Sequence, residues 1–263
     1  MQYTTYDIHL FPSGEVEISL NLVNNIIYCR LNKDLNQSLI AALIAIKKLS
    51  KIYEKITVVM PFLPYSRTDI QPIIEIFKMS GVSKLITVEI HSEVVQPGIE
   101  IQNISIIPEV IKKIGINLNQ LVIISPDKGG YSRAKNAAEL LNCHFTSMEK
   151  TRQNGCIMHF LQDKDLVKNR PVLIVDDIID SGGTINSAAD LLYNSGAKSI
   201  TVLGIHGILS RREFSPKIDK VYVTNTLKQE TFIQPQVVDV DAIIRSEVEK
   251  SIKSYICKSK HSS

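Results

Sequence analysis

The residues best suited to chemistry lie between 172 and 184. The apolar run Val172-Leu173-Ile174-Val175 leads into Asp176-Asp177, then Ile178-Ile179-Asp180, then Ser181-Gly182-Gly183-Thr184 and a helical pattern to 192. The order reads as a buried strand, a phosphate-sized loop and a helix start. A helix N-terminus supplies unpaired backbone N–H groups and positive dipole potential, so this loop suits an anion. Gly182 and Gly183 let the backbone close around it. Asp176 and Asp177 would repel a bare phosphate. They suit a ligand that also carries hydroxyls, or one reached through Mg²⁺. Phosphate plus hydroxyls describes a sugar phosphate.

The same logic recurs at Ile123-Ile124-Ser125-Pro126-Asp127-Lys128-Gly129-Gly130, with a strand, an acid, two glycines and a helix. It offers a second anion site whose Asp127 carboxylate can serve Mg²⁺ through oxygen. Upstream, His91 follows a strand-like run. A lone histidine there reads as surface or core, and His144, His159 and His206 read as structural. Lys150 and Arg152 sit in a polar stretch, 149–155, which with few apolar anchors reads as a mobile loop.

These groups need elements to position them. Apolar runs at 56–60, 84–89, 121–125, 172–176 and 199–204 read as strands, and amphipathic patterns at 34–53, 71–80, 130–141 and 184–194 as helices. Such alternation implies parallel sheet with crossover helices, and ligands at the carboxyl ends of the strands. Asp34 is placed to cap the first helix and Gly196 to end the last.

With 263 residues, 44% of them hydrophobic, the chain can build one large or two modest cores. A formal charge of +3 gives no footprint for nucleic acid. Cys29, Cys143, Cys156 and Cys257 have no metal-like spacing and read as reduced thiols. No signal peptide or membrane-spanning stretch is legible, so a cytoplasmic location is expected. From Lys258 the chain is basic and serine-rich and reads as a frayed end.

Residues 176–184 resemble the 5-phosphoribosyl-1-diphosphate (PRPP) loop of type I phosphoribosyltransferases and ribose-phosphate pyrophosphokinases. From Phe11 onward most of the chain resembles the second family. Phe11-Pro12-Ser13-Gly14-Glu15-Val16 is similar to its Phe-x-x-Gly-Glu-Val, and Pro64-Tyr65-Ser66-Arg67-Thr68-Asp69 to its Pro-Tyr-x-Arg-Gln-Asp adenine-site segment. Ile90-His91-Ser92 matches the strand end carrying a Mg²⁺-linked histidine. Residues 125–130 match the diphosphate loop, and Glu149-Lys150-Thr151-Arg152 lies where the catalytic Lys-x-Arg sits. Simple phosphoribosyltransferases share only the PRPP loop.

The resemblance implies an α/β fold of two tandem type I phosphoribosyltransferase-like domains, with mainly parallel central sheets flanked by helices. Its boundaries would be 1–110, 111–240, a helix at 241–256 packing back on the first domain, and a flexible tail at 257–263. It implies transfer of the diphosphoryl group of MgATP to the C1 hydroxyl of ribose 5-phosphate, giving PRPP and AMP. Lys150 and Arg152 would be catalytic. Ser13, Gly14, Glu15, Arg67 and Thr68 would bind ATP, with Glu15 contributed by a neighbouring subunit of a homo-oligomer. Ribose 5-phosphate would meet Arg152, Asp176, Asp177, Asp180, Ser181, Gly182, Gly183 and Thr184. Asp127, Lys128, Gly129 and Gly130 would form the diphosphate loop, and His91 with Asp127 would hold Mg²⁺. No nucleic acid or membrane partner is implied.

The chain departs from the pattern near the nucleotide. Ser13 stands where an Asp is usual and Thr68 where a Gln is usual. The segment before Phe11 is short, and the basic, proline-containing segment expected after Asp69 is absent. Lost partners in a polar site cost about 1–3 kcal/mol each, so altered nucleotide preference or regulation is expected. A non-catalytic regulatory paralogue and a phosphoribosyltransferase joining PRPP to a base stand as alternatives.

Overall fold

The computed structural model describes residues 1–92, 95–153, 156–211, 213–229 and 235–259, the side chains of 150–159 and 254–259 excepted. Two compact units divide the chain. The first holds Met1–Ile106, Thr226–Lys228 and Val240–Ser263, and the second holds Ile107–Asn225 and Gln229–Asp239.

The first unit opens with an antiparallel hairpin of β1 (Thr5–Leu10) and β2 (Val16–Asn21). A four-stranded parallel sheet follows, made of β3 (Ile26–Tyr28), β4 (Ile56–Val59), β5 (Val82–Val88) and β6 (Glu100–Ile104), side by side in that order. Crossover helices α1 (Leu35–Leu49) and α2 (Gln71–Met79) join the first three strands. The sequence dictates these pieces locally. Asp34 caps α1 by accepting from Gln37 N–H at 3.1 Å. Leu39, Ala42, Ile46 and Leu49 are spaced at helical period and are all buried. The inner strands β4 and β5 are mostly buried on both faces, as in parallel sheets, while the edge strand β6 (Glu-Ile-Gln-Asn-Ile) is partly exposed.

The second unit begins with α3 (Ile107–Lys113), β7 (Val122–Ser125), α4 (Tyr131–Leu141), β8 (His144–Gln153) and β9 (Cys156–Leu161). It continues with β10 (Pro171–Ile179), α5 (Gly183–Asn194), β11 (Ser199–Gly207), β12 (Lys220–Thr224) and β13 (Gln236–Val238). Its seven strands lie in the order β13-β12-β11-β10-β7-β8-β9, all parallel except the β8–β9 pair. Ile185, Ala188, Ala189 and Leu192 of α5 pack into one core with Val122, Ile124, Val172, Ile174 and Val202 of the sheet. Gly196, just past α5, has φ +83° and turns the chain out of the helix.

The chain then returns to the first unit as α6 (Asp241–Ser259). The helix is tied there by Arg30–Asp241 and by Lys84 Nζ donating to Ser251 Oγ at 3.1 Å. It continues past the expected end at 256, because no glycine or proline stops it before Ser259.

The polar stretch expected to be a loop is largely strand. Glu149 to Gln153 belong to β8, and β9 pairs with them antiparallel, Glu149 opposite Phe160, Lys150 opposite His159 and Arg152 opposite Ile157. The partner is the apolar run Cys156–Leu161, and the residues between are Asn-Gly, the strongest short hairpin signal in a sequence. The strand β10 likewise runs to Ile179, beyond the expected 176, so Asp176 and Asp177 lie within it. Ile178 and Ile179 extend the pairing with β11 and carry the strand onward.

Cys29 is fully buried and free, its thiol pushed up to about 12 by burial, and Cys143 is also free. Cys156 and Cys257 lie outside the described side chains.

Candidate active site

From β7 the chain passes to β8 on one side, while from β10 it passes to β11 on the other. The crevice between β7 and β10 is therefore the topological switch point of the sheet, where open α/β sheets place ligands. Val122, Ile123 and Ile124 stand level with Val172, Leu173 and Ile174, and β10 runs on to Ile179, past the level at which β7 ends at Ser125. Each loop leads into a helix whose N-cap is glycine, Gly130 for α4 and Gly182 for α5, and neither cap makes a side-chain hydrogen bond. Two helix N-termini without side-chain caps thus flank one crevice, which favours a ligand with two anionic groups.

The first loop is shaped by its own residues. The Ser125 hydroxyl donates to the Asp127 carbonyl at 2.7 Å, and Gly130 N–H donates to Asp127 Oδ1 at 3.2 Å. A Cβ on Gly130 would lie 2.9 Å from Ser125 Oγ, so a larger residue would displace the hydroxyl that shapes the loop. Lys128 and Gly129 are exposed at the rim.

In the second loop Gly182 has φ +75°, a left-handed conformation that lets the chain turn from β10 into α5. Asn186 braces this turn. Its side chain donates to the Glu213 carbonyl at 2.9 Å and accepts from Ser215 N–H at 2.8 Å. Ser181 and Gly183 are exposed, while Asp180 and Thr184 are half-buried. Gly182→Ala is expected to strain this turn and destabilise the fold by about 1–2 kcal/mol, read from the urea midpoint.

The two neighbouring acids differ. Asp177 is buried, with Oδ2 held 3.2 Å from Arg133 Nη2 and Oδ1 accepting from Ile178 N–H at 2.9 Å. Asp176 is half-buried, and its Oδ1 accepts from Asp177 N–H at 3.0 Å. Burial holds the Asp176 carboxyl well above the usual carboxylate range. The Asp177 charge and hydrogen bond add to this, then Asp127, while Arg133 opposes them. Opposite Asp176 in β11 lies Gly204, where a Cβ would fall 2.4 Å from Ile179 Cγ1. Gly204→Ala is therefore expected to destabilise the fold by about 1–3 kcal/mol, read from the urea midpoint.

The sequence reading missed Arg133. A signal was present, since an arginine in the first turn of a helix opposes the helix dipole, and local violations of this kind gather at functional sites. It also missed Glu89, a buried acid with φ +41° just past β5. Glu89 Oε1 accepts from Ser105 Oγ at 2.6 Å and from Ile106 N–H at 2.8 Å, pinning the turn that carries exposed His91.

In the first unit, Gly14 and Glu15 line an open cleft of about 520 Å³ with Asn36, Gln37 and Ile40. The Tyr65 hydroxyl donates to Asn36, so the 64–69 segment borders the same end of α1. The Ser13 hydroxyl donates to Glu15 Oε2 at 2.9 Å, and the Thr68 hydroxyl to the Tyr65 carbonyl at 3.0 Å. The side chains of Lys150 and Arg152 lie outside the described residues. His206 is buried in β11, and His144 is exposed.

Among the described residues no three His, Cys, Asp or Glu side chains are grouped to hold a metal ion by themselves. None of the described helices is long and apolar enough to cross a membrane.

Comparison with known proteins gives the family. A phosphoribosyl transferase domain model matches residues 92–242. A ribose-phosphate pyrophosphokinase of Pyrococcus furiosus is 32% identical, over 85% of this chain and 86% of its own length. Ribose-phosphate pyrophosphokinase 2 of Archaeoglobus fulgidus is 30% identical, over 83% of each. The crystal structure of phosphoribosylpyrophosphate synthetase from Mycobacterium smegmatis superposes with a TM-score of 0.80 at 24% identity, over 95% of this chain and 91% of that one. This last match speaks for the fold, with two phosphoribosyltransferase-like domains.

Proposed function

Because the chain belongs to the ribose-phosphate pyrophosphokinase family, we propose that it transfers the β,γ-diphosphoryl group of MgATP to the C1 hydroxyl of ribose 5-phosphate, releasing PRPP and AMP. The observation that carries this reading is the switch-point crevice, with an anion-ready loop on each side and Asp127, Asp176 and Asp177 between them. A phosphoribosyltransferase would need the same crevice. It would leave the first unit without a role, yet the pyrophosphokinase relatives match more than four fifths of the chain.

Backbone N–H groups from Ser181 to Thr184 would hold the 5-phosphate, and those of Lys128 and Gly129 the diphosphate. Asp176 would take the ribose hydroxyls. In-line attack on the β-phosphorus asks little covalent chemistry of protein groups and much positioning and charge neutralisation. Lys150 and Arg152 would supply cations to the transferring group. Carboxylate oxygens with substrate phosphates fit Mg²⁺, which keeps few protein ligands, so Asp127 and His91 are the residues assigned to it. Bound there, the ion would neutralise phosphate charge. A homo-oligomer in which Glu15 serves a neighbour's nucleotide belongs to the same reading.

A second reading, a sugar-phosphate-binding regulator without turnover, is favoured by Ser13 and Thr68, whose hydroxyls are satisfied by Glu15 and Tyr65. Calorimetry separates the two. The enzyme reading expects micromolar to millimolar MgATP binding alongside ribose 5-phosphate. Sugar-phosphate binding with no nucleotide binding, across ATP, GTP, CTP and UTP, would favour the regulator. The Ser13→Asp/Thr68→Gln variant is expected to tighten MgATP about tenfold or more by restoring lost partners.

A further inference from the structure

Arg133 lies in the first turn of α4, directly after the first loop, and its guanidinium reaches across to Asp177 on β10. Nη2 is 3.2 Å from Asp177 Oδ2 on β10, with the two side chains only 11% and 3% exposed. The other Asp177 oxygen is taken by Ile178 N–H. Asp177 is thus turned toward protein, while its neighbour Asp176 is half-buried at the crevice.

We propose that Arg133 is a positioning residue that locks Asp177 and so leaves Asp176 as the carboxylate offered to the ribose hydroxyls. The two adjacent acids then have different tasks: one fastens the second loop to the helix of the first, and the other meets the ligand. The pair ties β10, which leads into the second loop, to the helix that follows the first, which matters most for the sugar phosphate that both loops must serve. A guanidinium suits the task because it is planar, permanently charged and offers several donors at once. This inference rests on the sugar-phosphate reading of the crevice.

The test compares wild type with Arg133→Met, Arg133→Lys, Asp177→Asn and the Arg133→Met/Asp177→Asn double variant. Ribose 5-phosphate and MgATP dissociation constants come from calorimetry, and KM and kcat from turnover. Arg133→Met is expected to weaken ribose 5-phosphate at least tenfold and MgATP less than threefold, with Arg133→Lys recovering part of the loss. The double variant should be little worse than either single one, since both remove the same link. Equal losses for both substrates, or losses that add in the double variant, overturn the inference, because a merely structural arginine would produce them. If Arg133→Met fails to fold, the Arg133→Lys split between substrates decides alone. Wild type that binds ribose 5-phosphate but makes no PRPP overturns the assigned reaction and leaves the Arg133 comparison intact. Wild type that binds no sugar phosphate overturns both.

Discussion

Lys150→Ala is expected to lower kcat for PRPP formation about 10³-fold while leaving the KM for ribose 5-phosphate within about threefold. The expectation follows from where charge develops. As the bond to ATP breaks, charge shifts onto the departing AMP oxygen and over the oxygens of the transferring diphosphoryl group. A cation that engages only then lowers the barrier without tightening the ground state. Arg152, on the same strand β8 two positions later, is assigned the same task. Arg152→Ala should match Lys150→Ala, and the double variant should fall short of the product of the two losses. Pre-steady-state quench with labelled ATP checks this directly, since a loss confined to KM would remove both residues from the chemical step.

The second large effect separates the paired acids by stability as well as rate. Folding raises the carboxyl pKa of Asp176, so the folded state favours its protonated form. The stability this group contributes is complete below the ordinary carboxylate pKa and is lost as pH rises through the raised value. At neutral pH the wild-type fold therefore carries a cost that Asp176→Asn relieves. That variant is expected to gain on the order of 1–2 kcal/mol at pH 7, a gain that vanishes below about pH 4, while losing ribose 5-phosphate binding. Asp177→Asn should do the reverse for stability. It removes the Asp177 charge that faces buried Arg133, at a cost of about 3 kcal/mol. Urea unfolding at pH 4 and pH 7 reads both, and a stabilised Asp177→Asn would refute the division of labour.

Much of this was legible in the residues. The strands β4, β5, β7, β10 and β11 and the helices α1, α2, α4 and α5 announce themselves by apolar runs and helical spacing. Their glycines mark the two loops, because Gly130 and Gly182 each meet a backbone or packing demand that other residues fail. Short strands such as β3 and β13 hold only three residues each and carry too little pattern to see. The β8–β9 hairpin hid because Glu149 to Gln153 are polar, and their strand character comes from an apolar partner twelve or fewer positions away rather than from their own periodicity. Arg133 and Glu89 were hidden for another reason. Their meaning lies in Asp177 and Ile106, contacts that only the fold supplies.

The most direct measurement follows ³¹P resonances of the purified protein with MgATP and ribose 5-phosphate. The account predicts AMP and PRPP in equal amounts, with the β,γ-diphosphate of ATP arriving intact on C1 and no ADP formed. Accumulation of ADP, or no reaction with any of the four common nucleoside triphosphates while ribose 5-phosphate binds, would contradict it.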